Sequence, residues 1–273
     1  MAAIAAGTTT LSAVVAVISA RTVLHRQAAV AREAIGKPLG EEAPDADRVY
    51  KKRFGRTVEL LVLGDSIAAG LGADGPRGTF GSRLARKVAK RTERSVRLRT
   101  AARVGAESSM LAEQLASLPD DYAPDVAVVI VGGNDVTHRV PVGQSVAHLT
   151  ACIAELRSRG SAVVVGTCPD LGALRPVPQP LRALGSRASR QLATAQREAA
   201  LREGAYAVEL AAVVGPFFIT NPDEMFSLDR FHPSSQGYAR TAKAVLPSVL
   251  AALGERDHVP FGHAAPVQVA AQA

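Results

Sequence analysis

Residues 126–131, Val-Ala-Val-Val-Ile-Val, form a continuous run dominated by β-branched side chains. A strand with no polar alternation has no face to offer to water, so it calls for cover on both sides. The rest of the chain supplies that cover. Short apolar runs at Val58–Leu63, Val96–Thr100, Ala162–Val165 and Ala207–Leu210 read as further strands. Between them, helical spacing runs over Thr79–Arg91, Ser108–Leu118, Val142–Arg159, Ser186–Glu203 and Pro233–Leu253. Pro119, Gly160 and Gly204 stand where three of these helices should stop. Strands alternating with helices predict an α/β fold, a three-layer α/β/α sandwich on a parallel sheet of about five strands with right-handed crossovers.

The predicted domain occupies residues 57–253 of 273, enough for one sizeable core. Residues 36–56 are charged and contain prolines, which suits a linker or a strap lying on the domain. Residues 254–273 lack periodicity and read as a flexible tail. Residues 2–20 are uncharged and apolar or small, and Arg21, His25, Arg26 and Arg32 follow. The segment within residues 1–35 therefore reads as an apolar anchor in preference to a cleaved signal-like helix. That reading places the protein at a membrane or in the cell envelope, with the cytoplasmic side open by the positions of the charges.

Composition narrows the functions. Aromatic residues make up 4% with no Trp, which argues against stacking platforms for single-stranded nucleic acid. The net charge is +7, with nine Lys/Arg against Glu93 alone between Arg83 and Arg103. This stretch reads as a solvated cationic face, and no nucleic-acid partner is expected. His25, His148, His258 and His263 have no ligand-like spacing, so no metal is expected. Cys152 and Cys168 are too few for a disulfide framework; two buried thiols are expected, with a single bridge as the alternative.

Chemistry-bearing residues cluster where predicted strands end. Gly64-Asp65-Ser66 closes the first strand, placing a serine at the sheet edge where such folds bind ligands. Gly105 follows the second strand, and Gly132-Gly133-Asn134-Asp135 follows the Val126–Val131 strand. Asp229-Arg-Phe-His232 lies before the last helix, with carboxylate and imidazole in one loop. These parts fit acyl transfer. Ser66 would be the nucleophile, His232 its base and Asp229 the group that orients the imidazole. The backbone N–H groups of Ser66 and Gly105, with the Asn134 amide, would form the oxyanion hole. Asp65 and Asp135 are expected to brace loops.

Together, Gly64-Asp65-Ser66, Gly105, Gly132-x-Asn134-Asp135 and Asp229-x-x-His232 resemble the four sequence blocks of the SGNH hydrolases, the GDSL esterases and lipases. The resemblance spans residues 57–252, and is nearest to actinobacterial members with an N-terminal apolar segment. It implies a flavodoxin-like sandwich, no metal or cofactor, and hydrolysis of an acyl ester through an acyl-enzyme. The expected substrate carries a short- to medium-chain acyl group, with lipid esters among the candidates. Two alternatives remain: a carbohydrate O-deacetylase or transacylase acting on cell-wall glycans, and a catalytically silent membrane-associated binding module. For the substrate pocket, Asp65, His138, Leu171, Phe217 and Phe231 are the nominated contacts. The Pro-rich segment Thr167–Pro180 and the stretch Val213–Met225 are read as its walls.

Overall fold

The computed structural model describes residue 19 and residues 21–266. Its centre is a seven-stranded sheet in the order β1-β3-β2-β4-β5-β6-β7. The strands are β1 (Val49–Tyr50), β2 (Gly55–Gly64), β3 (Arg94–Thr100), β4 (Val126–Ile130), β5 (Ala162–Gly166), β6 (Tyr206–Val208) and β7 (His263–Ala264). The five from β3 through β6 are mutually parallel, and β1 and β7 pair antiparallel at the two edges.

Period-two alternation assigns the layers. Along β2, Val58, Leu60 and Val62 face α3 (Phe80–Thr92) and α11 (Ser235–Ala252), where they meet Phe80, Leu84, Tyr238 and Val245. Leu61 and Leu63 face the other way, toward α4 (Leu111–Ala116) and α6 (Val142–Ser158), against Leu111, Leu149 and Ile153. Every residue of β4 is fully buried. Each Val or Ile so placed contributes about 1.5–3 kcal/mol relative to exposure, which explains why this run carries no polar residue. The remaining helices are α1 (21–35), α2 (Ser66–Ala69), α5 (Gly133–His138), α7 (Leu181–Arg202), α8 (Leu210–Val213), α9 (Gly215–Thr220) and α10 (Pro222–Met225).

Several elements differ from the sequence expectation. Residues 36–56 do more than link: β1 adds a strand to the sheet, and Asp47 Oδ2 accepts the Thr100 N–H at 2.8 Å. Tyr50 anchors this strap by burying its ring and donating to the Ala46 carbonyl at 2.7 Å. The expected flexible tail runs back to the sheet as β7, where His263 Nδ1 lies 2.7 Å from Ser248 Oγ and Glu209 donates to Gly262 at 2.8 Å. Ser108–Leu118 opens as a 3-10 turn over Ser108–Met110 before α4 begins. α7 starts five residues before the expected Ser186. The apolar residues 2–20 lie outside the described residues apart from Ser19, and among the described residues no helix is long and apolar enough to cross a membrane. α1 itself docks on the chain entering α7, where Gln27 accepts the Leu181 N–H at 3.0 Å. On the cationic stretch, Arg97 pairs with Glu59 and Arg103 with Glu113.

The chain order and the spatial order of the strands together locate the cleft. After β2 the chain adds β3 on one side and then crosses to β4 on the other. This reversal opens a crevice beyond the carboxyl ends of β2 and β4.

Candidate active site

Gly64 ends β2 in a conformation that only glycine accommodates here. Its φ is +128°, and a Cβ at this position would stand 1.8 Å from the Ile130 carbonyl oxygen. The tight approach lets the next residue, Asp65, donate its N–H to the same carbonyl at 3.0 Å. Gln114, fully buried on α4, closes the other side of the turn. Its amide accepts the Gly64 N–H at 2.9 Å and donates to the Gly64 carbonyl at 2.8 Å. Asp65 then caps α2, its Oδ1 accepting the Ile67 N–H at 2.9 Å. Because Asp65 serves as the cap, the Ser66 hydroxyl is released from that task.

Ser66 Oγ lies 2.9 Å from His232 Nε2, and His232 Nδ1 lies 2.5 Å from Asp229 Oδ2. The second Asp229 oxygen accepts the backbone N–H groups of Phe231 at 3.0 Å and His232 at 2.9 Å. Burial by itself raises the Asp229 pKa. The His232 ring N–H and the two backbone donors outweigh it and hold the carboxyl below its ordinary value. Side-chain exposure is 14% for His232 and 4% for Asp229, so the pair is shielded from solvent competition. Asp65 shows the opposite balance: burial raises its pKa to about 6, despite the Ile67 and Gly133 N–H groups and nearby His232.

Asn134 stands in the first turn of α5, and its amide donates to the Ala106 carbonyl at 2.9 Å. One N–H of that amide remains for a ligand. The same bond draws the Asn134 loop onto the Gly105-Ala106 turn, where Gly105 has φ +79°. Two further links join these loops: Asp135 accepts the Ser108 N–H at 3.0 Å together with its hydroxyl, and His138 pairs with Glu107 at 2.6 Å. No described residue accepts the backbone N–H of Ser66 or Gly105.

Beside Ser66 and His232 is a narrow cavity of about 80 Å³. The segment Thr167–Pro180 supplies Pro169, Leu171 and Leu174 to its wall, and α8, α9 and the residue joining them supply Leu210, Phe218 and Val214. Arg175 ties the two walls together by donating to the Ile219 carbonyl at 3.1 Å. Of the nominated pocket residues, Asp65, Leu171 and Phe231 line the cavity. His138 and Phe217 do not. His138 is held at the surface by Glu107, and Phe217 turns outward beneath the Arg240 guanidinium, 4.7 Å from its ring centre. The neighbouring Phe218 faces the cavity instead, because the short α9 rotates successive side chains by about 100°. Cys152 and Cys168 are both buried free thiols.

Sequence reasoning missed Gln114 and Gln196, both fully buried. Their signal was positional. Gln196 falls in the buried stripe Ser189, Leu192, Gln196, Ala199 of α7, and Gln114 between Leu111 and Leu115.

The comparisons with known proteins agree with this architecture. Residues 62–240 match the GDSL-like lipase/acylhydrolase family model. The chain is 38% identical over 257 residues to a GDSL-like esterase of Mycobacterium tuberculosis, covering 90% of this chain and 82% of that one. Its fold is similar to the lipase/acylhydrolase from Enterococcus faecalis, with TM-score 0.59 and 21% identity over 74% of this chain and all of that one. It is also similar to the acetylxylan esterase Axe2 of Geobacillus stearothermophilus, with TM-score 0.54 and 18% identity over 74% of this chain and 96% of that one. The chain belongs to the GDSL-like lipase/acylhydrolase family, with the SGNH hydrolase fold, and is a carboxylic ester hydrolase.

Proposed function

We propose that the protein hydrolyses short- to medium-chain acyl esters through a covalent acyl-enzyme on Ser66. The observation that carries this reading is the hydrogen-bonded line from Ser66 Oγ through His232 to Asp229, at 2.9 and 2.5 Å. His232 Nε2 takes the hydroxyl proton as Oγ attacks the ester carbonyl carbon, and Asp229 stabilises the imidazolium. The tetrahedral oxyanion is met by the N–H groups of Ser66 and Gly105 and the free N–H of Asn134. His232 then returns the proton to the departing alkoxide. Water, deprotonated by the same imidazole, attacks the acyl-enzyme and releases the acid.

The cavity's small volume supports a short acyl group, since pockets for drug-sized ligands run to about 300–1,000 Å³. It also favours a second reading, removal of acetyl groups from glycans, because acetyl is the smallest common acyl substituent. Rates on acetylated oligosaccharides against p-nitrophenyl butyrate separate the two. Residues 2–20 are proposed to hold the enzyme at a membrane or in the cell envelope.

Purified protein is expected to release p-nitrophenol from p-nitrophenyl acetate, with Ser66→Ala lowering kcat by at least about 10³-fold. Equal activity of the two proteins would sink the mechanism.

A further inference from the structure

The parallel ladder between β4 and β5 ends at the pair Ile130–Gly166. Beyond it the two strands lead to different parts of the site. Val131 enters the Gly132-Gly133-Asn134 turn, and Cys168 enters Pro169-Asp170-Leu171 on the cavity wall. The gap between them is filled by one side chain. Gln196 Nε2 donates to the Val131 carbonyl at 2.9 Å, and the Cys168 N–H donates to Gln196 Oε1 at 2.7 Å. Only this orientation of the amide satisfies both partners, since one is an acceptor and the other a donor. Val131, Cys168 and Gln196 are all buried, so water does not substitute. Gly132, which caps α5, rests on the same amide: a Cβ there would stand 3.1 Å from Gln196 Nε2.

We propose that Gln196 is a positioning residue that fixes the Asn134 donor relative to the acyl-pocket wall. It lies outside the cavity lining and acts through the backbone on either side of it. The inference rests on the reading of Asn134 as an oxyanion donor. A displacement of about 1 Å at a reacting centre costs as much as 10²-fold in rate, so the effect belongs in kcat.

The test uses the full chain and p-nitrophenyl acetate. Gln196→Leu is expected to lower kcat by about 10- to 100-fold with KM changed by less than about threefold. Leu156→Ala, a core change near the end of α6 that leads into β5, serves as a control for lost stability and is expected to hold kcat within about twofold at a comparable fall in Tm. Asn134→Ala alone should lower kcat by about 10²-fold, and adding Gln196→Leu to it should cost less than about threefold more, because both changes disable one donor. Gln196→Glu is the conservative variant: its protonated carboxyl can accept from Cys168 and donate to Val131. Its kcat relative to wild type should therefore rise as pH falls, and this ratio decides the matter if Gln196→Leu does not fold. Full additivity with Asn134→Ala, a Gln196→Leu kcat equal to that of the control, or a pH-independent Gln196→Glu ratio overturns the proposal. An unchanged kcat in Asn134→Ala would instead strike the underlying reading of that donor.

Discussion

Two carboxylates near Ser66 have opposite energetics, and the difference is decided by their donors. Asp229 accepts three hydrogen bonds, from the His232 ring and two backbone N–H groups, which outweigh its burial. Asp65 is more deeply buried, with the Asp135 carboxylate nearby, and its pKa rises to about 6. The folded protein thus holds this proton more tightly than the unfolded chain, whose aspartate titrates near pH ~3.9. Stability from this group is therefore full at low pH and declines as pH rises from about 4 through about 6. A shift of about two units corresponds to roughly 3 kcal/mol. Asp65→Asn, which keeps an oxygen for the Ile67 N–H, is expected to be nearly neutral at pH 4 and to gain about 2 kcal/mol over wild type at pH 7. Urea unfolding at both pH values measures this. A gain independent of pH would show that Asp65 has the same pKa in the folded and unfolded states.

At the scale of elements, strands that bury both faces were legible, because Leu60–Leu63 of β2 and all of β4 and β5 must be apolar. The four motif blocks were legible too, since three of them follow the ends of β2, β3 and β4 and the fourth lies just before α11. Short elements were not. β1 and β7 are two residues each, and their pairing is dictated by the open edges of β3 and β6 rather than by their own composition. α5 begins on Gly133 after another glycine, which reads as loop until the Asp135 and Asn134 side chains are seen to tie it down. Phe217 and Phe218 differ by one helical step, a phase that a six-residue helix does not reveal in sequence. Gln114 and Gln196 look like solvent-facing residues until the strand ends they complete are known. β7 offers a direct check. A chain ending at residue 254 loses the Glu209–Gly262 bond, the His263–Ser248 contact and the β6 pairing. It should be less stable by about 3 kcal/mol, at roughly 1 kcal/mol per hydrogen bond, while kcat changes by less than about twofold. Thermal unfolding and p-nitrophenyl acetate kinetics read the two quantities, and an unchanged Tm would mean that the tail only rests on the sheet.

In the whole molecule, every residue that lines the cavity lies between Asp65 and Thr241. The site is assembled from loops at one edge of the sheet, and α1 docks separately through Gln27. Deleting residues 2–20 is accordingly expected to release the protein from membranes while leaving kcat and KM on a soluble ester within about twofold. Fractionation of cells expressing the two forms tests the proposed anchor, and identical soluble fractions would remove it. The two sheet edges also have different histories during synthesis. β1 precedes its partner β3, so that edge is covered as soon as residue 100 has left the ribosome. β6 is made by residue 208 but waits for residues 263 and 264. For more than fifty codons, therefore, the outer edge of β6 has no strand to pair with, while the residues that bring Asp229 and His232 to Ser66 are already being translated. An unpaired edge is a template for another chain. The nascent protein is thus exposed to misassociation in the interval when the segment carrying Asp229 and His232 is made.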